Sequence, residues 1–458
     1  RRHRVVNAHC VSAKAEKMPI DIFAVFRYNR DRNRYGQKGD GRMERLIFHI
    51  DVNSAFLSWE AVRRLQAGDK QDLRLLPSAI GGDREKRTGV ILAKSIPAKA
   101  YGVQTGEPIA QALRKCPTLI LAKPDFALYE KSSRAFLAIC RKYAPVVEQY
   151  SIDECFLDMS GTSMLYPDPI AIAHRIKDEI RDTLGFTVNV GIGSNKLLAK
   201  MASDFEKPDR VHTLFAEEIR EKLHPLPVRD LFTVGSSTAE RLERAFIRTI
   251  GELAATDEQT LKALLGNKQG EHLHRYANGI DHSPVQAEPE EAKGYSISTT
   301  LPTDLTDWEE GNRLLLSLSD SVASRMRADR ASAYCVSVTI RTNHFKDSSH
   351  QRKLTSPTDI TDEIFSVARS LFAELWDGRT PLRLLGVALG EIRREGEEVQ
   401  LSLFSEDEGK EKARRVDRTV DEIRNRFGYH TIGRASSWGS GDGVGKKHRA
   451  KLEAERKK

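Results

Sequence analysis

A multidomain α+β fold is predicted by three features of the chain. The order strand, helix, strand, strand, helix, strand is read twice, first over about residues 43–193 and again over 295–392. Between the copies lie a helical, short-looped stretch at 218–280 and a Pro- and charge-rich stretch at 281–293 with the composition of a linker. In the first copy, acids stand at strand ends. Asp51 closes the apolar run Leu46-Ile47-Phe48-His49-Ile50, and Asp153 and Glu154 sit side by side between Val146-Val147-Glu148-Gln149 and Cys155-Phe156-Leu157.

Bulk properties narrow the class. A length of 458 residues suffices for several domains, and 39% hydrophobic with 30% charged residues suits a soluble, folded protein. No apolar run is long enough to cross a bilayer, and the first residues lack an apolar core with a small-residue cleavage site, which argues against a membrane protein and against secretion. Cys10, Cys116, Cys140, Cys155 and Cys335 are odd in number, scattered and without a CxxC pair. They read as reduced thiols of a cytoplasmic protein, not as a disulfide framework or a zinc site. The net charge of +8 is concentrated at the start, where residues 1–45 hold twelve Lys and Arg against five Asp and Glu. Nucleic-acid binding therefore has to be argued from local patches, not from the isoelectric point.

Taken in order, residues 1–42 lack periodicity and read as a disordered or non-native extension ahead of Met43. A strand over 46–51 leads to a helix ending at about Ala67, and a basic, Gly-containing insertion follows at about 71–117, with Arg84, Lys94 and Lys99 able to face phosphate. Phe126, Tyr129, Phe136, Leu137 and Cys140 mark a core helix at about 125–143. The acidic run reads as two short strands with 151–154 at or near their turn. Ile172, Ile176, Ile180 and Leu184 mark an amphipathic helix, 186–193 a strand, and Ser194 is placed to cap a helix over 195–205. That helix carries Lys200, a helix-face neighbour of Lys207 just beyond it. This order is ferredoxin-like, with an added helix.

The second copy has strands at 295–300, 334–342, 351–355 and 384–392 and helices at about 308–329 and 359–375. Arg341, Arg352, Lys353, Arg383 and Arg393 recur on its strands, but thirteen basic and thirteen acidic residues between 294 and 394 balance, so any anion-binding face has to arise by segregation of charge. Gln400-Leu401-Ser402-Leu403-Phe404 then places apolar anchors in a polar, acidic setting, which calls for a partner. The tail at 396–458 is partly helix-like at 411–426, becomes Gly and Ser rich, ends in basic residues and reads as disordered.

In a straight strand Asp153 and Glu154 would point to opposite faces, so a shared site requires a twist or bulge. What would gather them is a hard cation, which prefers carboxylate oxygen, and Asp51 offers a third acid.

Ile50-Asp51-Val52-Asn53-Ser54-Ala55-Phe56, Tyr101-Gly102-Val103-Gln104-Thr105-Gly106, Ser151-Ile152-Asp153-Glu154 and Gly191-Ile192-Gly193-Ser194-Asn195-Lys196-Leu197-Leu198-Ala199-Lys200 follow the order found in Y-family translesion DNA polymerases. Over about residues 44–405 the chain most resembles the polymerase IV branch. The resemblance implies a right-hand polymerase with a ferredoxin-like palm at 43–217, small fingers inserted at about 71–117, a helical thumb at 218–280, a linker at 281–293, a βαββαβ little finger at 294–395 and a tail at 396–458. It implies low-fidelity, template-directed translesion synthesis from dNTPs onto a primer 3′-hydroxyl. Two Mg²⁺ ions, for which Mn²⁺ can substitute, would be held by Asp51, the Val52 carbonyl, Asp153 and Glu154.

By the same resemblance Phe56 is the steric gate against ribonucleotides, and Lys99 and Lys207 grip the triphosphate. Gly235, Arg341, Arg352 and Lys353 touch primer-template DNA, and Gln400, Leu401, Leu403 and Phe404 bind the replication sliding clamp. Departures from the family pattern are Ile96 and Lys99 where Tyr and Arg are usual, Thr233 at one of two thumb glycines, and Asn53 where many relatives have a second Asp. Two other classes fit the sequence less well. A cyclic-nucleotide-forming palm would not need a thumb and little finger, and a noncatalytic, clamp-tethered DNA-binding protein would not need three converging acids.

Overall fold

The computed structural model describes residues 45–82, 89–396, 408–428 and 431–434. Strand β1 (Ile47–Val52) runs into helix α1 (Ala55–Gln66), and an insertion then builds its own three-stranded sheet from β2 (Ser78–Gly81), β3 (Ile91–Lys94) and β4 (Ile120–Ala122), with the short helices α2 (Ile96–Ala100) and α3 (Ile109–Lys115). After α4 (Phe126–Cys140), a hairpin of β5 (Val146–Gln149) and β6 (Glu154–Asp158) is followed by α5 (Pro169–Leu184), β7 (Val188–Gly193), α6 (Lys196–Asp204) and β8 (Val211–Leu214).

The main sheet has the order β5-β6-β1-β7-β8. Its first four members have the ferredoxin-like arrangement read from the sequence, and β8 is added at the edge, parallel to β7. Alternation along β1 explains how the sheet is used. Phe48, Ile50 and Val52 face the core formed with Phe136, Leu137, Ile172, Ile176 and Ile180 of α4 and α5. His49 and Asp51 face the other side, where α6 packs on β7 so closely that a Cβ on Gly191 would lie 2.0 Å from the Ala199 carbonyl oxygen. Only glycine fits there.

Helices α7 (Ser236–Arg244), α8 (Ile250–Ala255), α9 (Glu258–Leu265) and α10 (Asn267–Ala277) enclose Leu231, Leu242, Ile250, Leu253, Leu261 and Leu273, and this core continues into Leu197, Leu198 and Met201 of α6. The segment that follows differs from a free linker. Asp281, 7% exposed, accepts a hydrogen bond from the Leu197 amide at the start of α6, and the Gln286 amide donates to Glu148. The opening turn of a buried helix needs acceptors for its free N–H groups, and Asp281 supplies one.

The second unit runs β9 (Tyr295–Leu305), α11 (Trp308–Ala328), β10 (Ala331–Thr342), β11 (Asp347–Thr358), α12 (Thr361–Leu375), β12 (Leu382–Arg394). The element order is as read, yet the strand order is β11-β10-β12-β9, with the last strand central and the first at the edge. The first unit has its opening strand β1 inside the sheet.

The tail reading needs a larger correction. Helix α13 (Glu408–Phe427) is docked on α11 and α12 by ion pairs. Arg327 donates to Asp421 at 2.6 Å, Arg424 contacts Asp320 at 2.8 Å, and Arg414 contacts Asp359 at 3.0 Å. The Asp417 carboxylate accepts from the Thr361 amide at 2.7 Å and so caps α12. Because the docked face is charged, no apolar stripe announced it.

Candidate active site

Asp51 pairs in register with Glu154 across β1 and β6, and the Val52 amide donates to the Asp153 carbonyl at 3.0 Å. The register of β5 with β6 runs unbroken from Val146 to Gln149, so any change of direction between Asp153 and Glu154 falls in the turn. Gln149 and Cys155 pair in register, and the turn itself carries Asp153, closed by the Tyr150 and Ser151 amides donating to the Glu154 carbonyl. The Ser151 hydroxyl donates to Asp153 at 2.6 Å and sets its direction.

Asp51 and Asp153 open on a cleft of about 720 Å³ lined also by Val52, Phe56, Lys99 and Lys207, among others. Phe56 lies flat on Tyr129, with ring centroids 4.4 Å apart and 7° between planes, and Trp59 and Phe126 brace it from the sides. A ring held on three sides makes a rigid wall.

The carboxylates are not gathered around a common point. Among the described residues no group of three His, Cys, Asp or Glu side chains stands close enough for one metal ion. Two of the three acids have a cation of their own: Asp51 is bonded to Lys207, and Glu154 accepts from Lys200 at 3.0 Å. Burial lifts the Asp51 carboxyl to about 6 even against Lys207, and the Glu154 and Asp153 charges add to the rise. Burial also opposes ionisation of Glu154, but His49 and Lys200 overcome it and pull that carboxyl down to about 2. Lys207 loses by burial and gains more from Asp51 and Asp204, so its ammonium is held well above the ordinary range.

Two site residues were undervalued in the sequence. Lys200, read as a helix-face neighbour, is buried against Glu154 and faces the rings of Tyr150 and Phe232. His49, fully buried, lies 3.7 Å from Glu154 through Nε2 and 2.7 Å from the Ser203 hydroxyl through Nδ1. The signal was available, since His49 stands two residues before Asp51 and strand alternation puts both on one face. Asn53 braces the site from behind, bonding Asn189, Thr187 and the Asp209 amide.

The remaining expected contacts are dispersed. Gly235 is the N-cap of α7, with open space where a Cβ would stand, and Thr233 adopts a φ of 76°, a conformation that glycine favours. Arg341 and Lys353 belong to the open face of the second sheet, where they pair with Asp347 and Glu391. Arg352 does not join them. It stands opposite the core residue Val336 and reaches over the helix side to Glu374 and Ser370. Residues 1–42 and the clamp-peptide residues Gln400, Leu401, Leu403 and Phe404 lie outside the described residues.

Comparison with known proteins agrees with this architecture. The model of the impB/mucB/samB family matches residues 50–204, that of the family's C-terminal domain matches 292–403, and that of the DNA polymerase-iota thumb domain matches 229–281. A protein of Clostridium acetobutylicum named DNA polymerase IV is 45% identical over 397 residues, covering 86% of this chain and 98% of that protein. The DNA polymerase IV of Acetivibrio thermocellus is 37% identical, covering 86% and 97%. A solved Y-family DNA polymerase chimera of Dbh and Dpo4 has a TM-score of 0.66 at 23% identity, covering 76% of this chain and all of the other, and supports the fold. The chain belongs to the Y-family DNA polymerases. Within that family its similarity runs to the branch named DNA polymerase IV.

Proposed function

We propose that the chain performs low-fidelity, template-directed translesion synthesis, transferring nucleotidyl groups from dNTPs to a primer 3′-hydroxyl at Asp51, Asp153 and Glu154. The observation that carries this reading is the register of Asp51 with Glu154 beside the Asp153 turn, at the mouth of a cleft walled by Phe56. The donor chemistry fits Mg²⁺, or Mn²⁺ in its place. Three hard carboxylates crowd one strand end, and the ammonium groups of Lys207 and Lys200 already stand where added positive charge is stabilised. Asp51, Asp153, Glu154 and the Val52 carbonyl would hold two such ions, with Asp51 and Glu154 first leaving their lysines. Bound there, they would lower the pKa of the 3′-hydroxyl and neutralise the leaving pyrophosphate. Lys207, freed from Asp51, is then in reach of the triphosphate with Lys99. The noncatalytic alternative is not favoured, since it leaves the buried acids without a role.

Primer-template DNA, dNTPs and the sliding clamp are the partners. Arg341 and Lys353, on the open face of the second sheet, support duplex binding together with Gly235. Deleting 400–404 is expected to remove clamp stimulation of extension while basal extension is kept; equal stimulation of the deleted chain would refute the clamp assignment. A cytoplasmic setting is supported by Cys116, Cys140, Cys155 and Cys335, which are buried free thiols. Among the described residues no helix is long and apolar enough to cross a membrane.

Phe56 leaves no room under the sugar for a 2′-hydroxyl, and its stacking on Tyr129 prevents it from yielding. Phe56→Ala is expected to raise ribonucleotide incorporation at least about 100-fold relative to deoxyribonucleotide, the scale of a lost steric exclusion of about 2.7 kcal/mol. Unchanged sugar selectivity would remove Phe56 from the gate.

A further inference from the structure

The cleft contains two cations that the acids do not use. Lys94, at the end of β3, and Lys99, in α2, both line it. Other cations around it are already matched: Lys207 by Asp51 and Asp204, Lys200 by Glu154, and Arg74 by a two-pronged contact with Asp72. Among the described residues, neither Lys94 nor Lys99 forms an ion pair. Glu107, the carboxylate that acts on Lys94, is taken by Lys115 at 2.5 Å. Among the described residues the Lys94 ammonium has only the Thr105 hydroxyl, 3.3 Å away. Burial and then the Lys99 charge push the Lys94 pKa down.

The backbone between them is fixed. Ser95 accepts at its hydroxyl from the Ala98 and Ser78 amides and donates to the Leu76 carbonyl, and its own amide donates to the Ser78 carbonyl. The corner from β3 into α2 is thus pinned, and both lysines are presented from a rigid support. Two like charges held on one wall, Lys94 half-buried and Lys99 exposed, are stabilised by a multiply charged anion between them. A single ammonium at Lys99 lacks the fork of a guanidinium, and a second ammonium restores two-point contact.

We propose that Lys94 binds the triphosphate of the incoming nucleotide together with Lys99, as a two-point cradle on the fingers side of the cleft. This rests on the polymerase reading above. It predicts that Lys94→Ala raises the dNTP KM about 10-fold with kcat changed less than about twofold, the pattern of lost binding that is equal in ground and transition states. The primer-template KM stays unchanged, Lys94→Arg restores the dNTP KM, and dNTP binding to a complex with a dideoxy-terminated primer weakens by the same factor.

If Lys94→Ala melts at lower temperature, Lys94→Gln keeps the stem without the charge and is read in its place. An unchanged dNTP KM and binding constant in a variant with wild-type melting would overturn the cradle. So would a rise confined to the primer-template KM, which would assign Lys94 to DNA phosphate instead. Asp51→Asn is assayed in parallel. Its loss of extension beside a normal dNTP KM in the Lys94 variant sinks the cradle alone, whereas undiminished extension by Asp51→Asn sinks the polymerase reading.

Discussion

Asp51→Asn is expected to lower primer extension by at least about 1000-fold, the loss of one preorganised charge at the reacting centre, while primer-template binding stays within about twofold. The amide keeps the shape of the side chain and removes only its charge, so the loss falls on cation binding. Folding is not expected to suffer. Asp51 is 8% exposed and burial lifts its carboxyl to about 6, so ionisation costs more in the folded chain than in the unfolded one. Lys207 keeps a partner, since Asp204 lies 2.8 Å away. Activity lost with melting temperature held or raised is the signature of a site maintained at some cost to stability. A lowered melting temperature of the same variant would mean instead that Asp51 serves the fold through Lys207.

The second large effect concerns α13. Arg424→Ala is expected to destabilise the second unit by about 3–5 kcal/mol, because it breaks a buried ion pair in which the guanidinium lies 2.8 Å from the Asp320 carboxylate, 10% exposed. In a unit of this size that corresponds to a fall in melting temperature of roughly 10 °C or more. Arg418→Ala is the control. Its side chain is 64% exposed and only 3.9 Å from Asp359, and an exposed pair of that kind contributes at most about 1 kcal/mol. Equal, small effects of the two substitutions would contradict the docking of α13 on α11.

How far the sequence was legible can be followed residue by residue. The first unit was open to reading because β1 alternates Phe48, Ile50 and Val52 against His49 and Asp51, and because the acids end or begin strands. The strand order of the second unit was hidden, since the same succession of elements closes in two ways and nothing local says which strand becomes central. Arg352 was misplaced because His350, Gln351, Arg352 and Lys353 are all polar, so alternation in that edge strand carries no mark of which face is inside. The docking of α13, whose span was read only as partly helix-like, was hidden for a related reason: Arg414, Asp417, Asp421 and Arg424 make its buried side, and hydrophobic periodicity cannot report a charged interface. Pairing of Asp51 and Glu154 each with its own lysine was likewise invisible in one dimension, because Lys207 and Lys200 reach them only through the packing of α6 on β7 that Gly191 permits.

Primer extension on an undamaged and an abasic template, with Mg²⁺ and with the intact chain beside Asp51→Asn, tests the central claim most directly. The account predicts extension on the undamaged template, insertion opposite the abasic site, and loss of both in the variant. Intact protein that binds the primer-template but extends neither would contradict it.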